Sequence, residues 1–137
     1  MNRAPRRHGG FSLLEMLIVL VIVGIFASIA YPAYQHYVQR ASRAEGQAML
    51  YETAARQERH FAQNHRYVVG NDELARLGLS GVSATGKYRL TIRPGSAGDG
   101  GFLLTATPQR PDPRCGDLTL NALGERGPGG AVAECWR

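Results

Sequence analysis

Glu15 is an acid inside a stretch otherwise suited to lipid. Residues 11–31 form an apolar run of 21 residues whose polar exceptions are Ser12, Glu15 and Ser28. At the α-helical rise such a run spans roughly 30 Å, one bilayer core. A carboxylate at the centre of a membrane helix costs on the order of 2.5–3.5 kcal/mol. Near the end of the run the cost is smaller, but it still asks for a cationic partner. Arg3, Arg6 and Arg7 precede the run and Gly9, Gly10 and Phe11 form the junction. Arginines on that flank orient a membrane segment with its N-terminal tail in the cytoplasm and the remainder outside.

Other residues offer less. His36, His60 and His65 do not have metal-ligand spacing, because His60 and His65 are five apart rather than three or four on one helix face. Asp99, Asp112 and Asp117 stand in or beside loops and form no calcium-ligand series. No nucleophile elbow or phosphate-binding glycine loop is present, so neither an enzyme nor a cofactor is expected. Arg110, Arg114, Arg126 and Arg137 flank the C-terminal loop; they suit either DNA or an anionic surface, or simply a solvated face. Cys115 and Cys135 are the two cysteines, and in an exported chain they suggest one disulfide. It would close a loop of 21 residues, counting both ends, worth about 3 kcal/mol in the chain-entropy model.

The chain has 137 residues and a formal net charge of +5. Removing the segment through Gly10 takes away three arginines, so the high pI describes the tail more than a nucleic-acid surface. With the apolar run set aside, the globular core is small and benefits from a covalent staple.

One long helix is predicted from near Phe11 to near Phe61, roughly 75 Å. Gly24 and Pro32 are its weak points. Its first half is apolar all round. Its second half carries an amphipathic stripe, predicted at Tyr34, Val38, Ala41, Ala44, Ala48, Tyr51 and Ala55. A connection follows, with a short helical patch over 72–77. Strands are predicted over 87–93, with Tyr88, Leu90 and Ile92 facing inward, then 102–108, 117–123 and 131–136, closing an antiparallel sheet.

A secretory signal cut near Ser28 and Ala30, a twin-arginine signal at Arg6 and Arg7, and a plain anchor all fit the opening segment. Two features count against them. A disposable signal gains nothing from Glu15, and it has no use for a helix that continues some thirty residues further.

The stretch GGFSLLEMLIVLVIVGIFASIAYPAYQHYVQRA resembles the N-terminus of type IV pilins, closely from Gly10 to about Ala48. The resemblance implies that a prepilin peptidase cuts between Gly10 and Phe11 and that the new amine of Phe11 is N-methylated. The short leader and mature phenylalanine are similar to the type IVa subgroup. Cleavage would create a cation at Phe11, reinforced by the helix N-terminus. Glu15 would compensate it, within the chain or on a neighbouring subunit, where the pairing would set an assembly register. Filament helices of this family loosen in the region of Gly24 and Pro32. More loosely, residues 88–136 resemble the PilE-type minor pilins, including an exposed terminal loop bounded by a disulfide.

The expected fold is α+β, the type IV pilin fold: a long N-terminal helix packed against a small antiparallel sheet with a C-terminal disulfide loop. The expected parts are a cleaved leader (1–10), a transmembrane and assembly segment (11–32), an amphipathic helix half (33–62) and a head with connecting loop and sheet (63–137). The expected function is that of a structural minor pilus subunit supporting biogenesis, adhesion and twitching motility. Its expected partners are other pilins, prepilin peptidase, the inner-membrane assembly machinery and the membrane itself. It would lie in the inner membrane, leader cytoplasmic and head periplasmic, before reaching a surface pilus. Nucleic acid is not the expected partner. A type II secretion pseudopilin, a DNA-uptake pilin and a periplasmic binding module on an anchor are the alternatives.

Overall fold

The computed structural model describes residues 10–98, 100–127 and 132–136. The arginines of the leader, Asp99 and Arg137 lie outside the described residues. Helix α1 is Leu13–Asn64, and the chain divides into two compact units, Met1–Tyr37 and Val38–Arg137.

In the first unit the described residues are residues 10–37, and all of them are exposed. The aliphatic side chains from Leu13 to Ile29 cover every face of the helix, so no rotation about its axis hides them. The helix runs unbroken through Gly24 and Pro32. This is the one helix among the described residues that is long and apolar enough to cross a membrane, by length and composition.

The second unit holds a four-stranded antiparallel sheet in the order β1 (Tyr88–Pro94), β2 (Phe102–Pro108), β3 (Leu118–Asn121), β4 (Arg126–Gly127). The predicted alternation holds. Tyr88, Leu90 and Ile92 of β1 are buried, as are Phe102, Leu104 and Ala106 of β2 and Leu118 and Leu120 of β3. Leu90 pairs with Ala106 and Ile92 with Leu104, so the inward residues of neighbouring strands line up on one face. Leu50 and Met49 of α1, with Val68 and Leu77 from the connection, complete the core. The predicted patch over 72–77 is a 3-10 helix, Asn71–Leu77.

Three expectations need correction. The buried face of α1 is not the alanine stripe. Ala41, Ala44, Ala48, Tyr51 and Ala55 are exposed, and Tyr34 with them; the buried residues are Arg43, Gly46, Met49, Leu50, Thr53 and Gln57. The helical period was right and the phase was wrong by roughly 160° of helix rotation, so the predicted stripe lies close to the opposite face. Alanine has little area to bury, whereas each polar residue on the true face finds a partner. Thr53 donates to Met49 O, and the Gln57 amide both donates to Val68 O and accepts from Val68 N. Gly46 is where the Tyr88 ring lies against the helix; a Cβ there would stand 3.0 Å from ring carbons.

The second correction concerns the end of β3. Asn121 accepts from the backbone N–H of Leu123 and Glu125, which turns the chain and ends the strand before Leu123. Third, the closing strand is Arg126–Gly127, and Val132–Cys135 is a short helix, α2, rather than a strand. Gly127 suits β4 because a Cβ there would collide with the Thr119 hydroxyl. At the other end of this segment the backbone is held by α1, since Cys135 O accepts from the Gln47 amide.

Candidate functional site

The first candidate site is the start of α1. Gly10 precedes the helix and has open space where a Cβ would be. Phe11 is 76% exposed, and Glu15 lies in the first turn. Four residues of chain separate the Phe11 amine from Glu15, and acids in a first turn suit the partial positive charge of a helix N-terminus. Glu15 makes no ion pair among the described residues. This geometry leaves both the α-amine position and the carboxylate available on an apolar rod.

The second is the C-terminal loop, closed by the predicted Cys115–Cys135 disulfide. Its neighbourhood is the best-organised polar assembly on the head. Arg43 donates to both carboxylate oxygens of Asp112, at 2.6 and 2.8 Å, and both side chains are only 8% exposed. Hydrogen bonding to Asp112 raises the Arg43 pKa despite burial. The bond from Arg43 holds Asp112 below the ordinary carboxylate range, again against burial, with the N–H groups of Arg114 and Cys115 helping. Asp112, expected in or beside a loop, is therefore an anchor whose side chain is buried.

Of the predicted basic cluster, Arg114 faces Glu134 at 3.6 Å, and Arg137 lies outside the described residues. Arg126 sits over two rings, 5.6 Å from the Tyr51 centroid and 5.5 Å from that of Trp136. Tyr51 and Trp136 meet edge to face at 5.7 Å, and the indole N–H donates to Gly127 O. Sequence reasoning missed Arg43, Gln47 and the Tyr51–Trp136 contact. Nothing in a helical arginine or glutamine separates a buried side chain from a solvated one until its partner, 69 residues or more along the chain, is in place.

Of the histidines, His36 is exposed and His65 ends α1 at φ 54°. His60 lines a shallow basic basin with Arg56, Arg59, Gln63 and Arg76. Its Nδ1 stands 3.0 Å from Arg66 O. Among the described residues no cluster of His, Cys, Asp and Glu suits a metal ion.

Glu45 ties α1 to the turn before β1. It accepts from Thr85 N and Oγ1 and faces Lys87 at 3.5 Å. Partial burial pushes its pKa up, but the hydroxyls of Ser83 and Thr85, the Thr85 N–H and Lys87 outweigh this and bring it to about 2.

These features define a class: a membrane-type helix continuing into a head stapled at its C-terminal loop. Comparison with known proteins agrees. Residues 5–31 match the prokaryotic N-terminal methylation motif, and residues 32–119 match a family described as type IV minor pilin ComP, DNA uptake sequence receptor. The chain is 33% identical over 100 residues to the fimbrial protein EcpC of Eikenella corrodens, covering 72% of this chain and 61% of that one. It is 30% identical over 112 residues to a type IV major fimbrial protein FimA of Dichelobacter nodosus, covering 66% and 70%. A fimbrial protein of Neisseria meningitidis is 39% identical over 79 residues, covering 58% and 45%. The solved structure of a type IV pilin from Shewanella oneidensis superimposes with a TM-score of 0.51 at 30% identity, covering 72% of this chain and 98% of that one. The chain belongs to the type IV pilins, structural subunits rather than enzymes. It spans 61%, 49% and 45% of the first curated relatives it matches.

Proposed function

We propose that the chain is a minor subunit of a type IV pilus, cut between Gly10 and Phe11, N-methylated at Phe11 and assembled through α1. The observation that carries this reading is the exposure of residues 10–37 on every face of an almost wholly apolar helix. Such a surface is stable only in lipid or against other apolar helices. A membrane anchor satisfies it first, with the leader cytoplasmic and the head periplasmic. A fibre of pilins satisfies it later, at the cell surface. Glu15 meets the Phe11 cation of a neighbouring chain and so sets the register. Prepilin peptidase and the inner-membrane assembly machinery are the partners this requires; adhesion and twitching motility are the activities supported. Gly24 and Pro32 are the places where α1 loosens in the fibre.

The test is mass spectrometry of the mature N-terminus together with two variants. An N-methylated Phe11 is expected; a chain beginning at Met1 or Tyr31 would overturn the reading. Gly10→Leu should accumulate as membrane-held precursor. Glu15→Ala should insert and be cleaved but be depleted from sheared pili, and wild-type incorporation would remove the register.

A second reading, a DNA-uptake pilin, is favoured by the description of the family that residues 32–119 match. It predicts salt-sensitive binding of duplex DNA. The slope of log affinity against log salt should shrink by about 0.9 for each phosphate that a variant no longer neutralises. Arg114→Gln and Arg126→Gln are the variants to compare. Unchanged binding in both would exclude these arginines.

A further inference from the structure

Arg43 and Gln47 lie one turn apart on α1, and each holds one of the two segments that the disulfide joins. Arg43 grips Asp112, whose Oδ1 also accepts from the backbone N–H of Arg114 and of Cys115 itself, at 3.2 and 3.3 Å. Gln47 donates to the carbonyl of Cys135 at 2.7 Å. A third link spans the pair from outside, where Arg114 faces Glu134, each the residue just before a cysteine. Trp136 adds its bond to Gly127 O. None of these contacts involves sulfur.

We propose that Arg43 and Gln47 form a template on α1 that seats Cys115 beside Cys135 before oxidation, so that the disulfide latches a loop already docked. The reaction needs an oxidant of the disulfide class. One cysteine thiolate attacks it, forming a mixed disulfide and releasing one oxidant thiol. The second cysteine then attacks the mixed disulfide, forming the Cys115–Cys135 bond and releasing the other oxidant thiol. The chain loses two electrons and two protons, and the oxidant gains them. The second step is intramolecular, so its rate follows the effective concentration of one cysteine at the other. That concentration is what the two clamps raise. Arg43 and Gln47 are positioning residues here; neither touches the reacting sulfurs.

The experiment uses the full chain in detergent micelles, reduced and then exposed to oxidised glutathione, with quenched samples read by mass spectrometry. The wild type should pass through little glutathione adduct. Gln47→Leu and Asp112→Asn should each accumulate the adduct and close at least about tenfold more slowly. Ile92→Val weakens the core away from the clamps and should close at the wild-type rate. A second measurement does not depend on how well those variants fold. In the chain carrying Cys115→Ser and Cys135→Ser, the Arg43 Nε–H should remain protected from exchange. Wild-type closure in both clamp variants, equal slowing in Ile92→Val, or loss of Arg43 protection in the double-serine chain would each overturn the proposal.

Discussion

The two halves of α1 obey opposite rules. Up to Tyr37 the helix is rich in aliphatic residues and buries none of them; from Val38 it is rich in charge and buries an arginine, a threonine and a glutamine. Beside Met49 and Leu50, which bury as apolar residues do, burial of helix residues here also follows available polar partners. The first half leaves all of its described residues exposed; under the proposed function their partner is lipid or other helices. The second half buries Arg43 and Gln57 because the head supplies Asp112 and Val68 at the matching places, and Thr53 because Met49 O of the helix accepts its hydroxyl. A buried ion pair adds little net stability over an apolar pair, yet breaking one is costly.

The largest test of that contrast is Arg43→Ala, which leaves Asp112 buried without its counter-charge. Head stability should fall by about 3–5 kcal/mol, read as a shift in the urea midpoint of the full chain in micelles. A loss below about 1 kcal/mol would mean the pair is effectively solvated. Next, Gly46→Ala drives a methyl group against the Tyr88 ring and should cost about 1–3 kcal/mol. The same measurement checks it, with Gly24→Ala, which meets nothing within 4 Å, as the neutral counterpart.

Acid should weaken the head. Glu45 and Asp112 have folded pKa values below their ordinary 4.5 and 3.8. Between those values and the folded ones the unfolded chain binds more protons, so stability falls as pH falls. The contribution is fully present above about pH 4.5 and is lost toward pH 2, where Glu45 itself titrates. Glu45→Gln should flatten that limb of the urea midpoint against pH.

The smallest expected effect on the head comes from the first half. Val19→Ala trims an exposed side chain of the first unit, so head stability should stay within about 0.5 kcal/mol. A larger shift would show that the two halves are energetically coupled.

The strands were legible because the alternation of Tyr88, Leu90 and Ile92, and of Phe102, Leu104 and Ala106, is a strictly local pattern. The disulfide was legible because two cysteines allow one pairing. The segment holding Cys135 was misread as a strand, since its alternation is weak and its backbone is held by Gln47, which no local pattern announces. The helix stripe was misread because alanines repeat at helical spacing on a face where Ala41, Ala44, Ala48 and Ala55 stay exposed.

By itself, then, the sequence determined the apolar segment, the acid near its start, the helix, three strands and the covalent staple. Each of these is written in spacing or composition within a short window. Tertiary structure alone decided which face of the second half is buried, that the loop acid Asp112 is an anchor for Arg43, and that Arg126 lies over two rings. The physical reason is that a polar group becomes a core group only when a specific partner cancels its desolvation. For Gln57 and Arg43 those partners arrive from 11 and 69 residues away, while Thr53 uses its own helix.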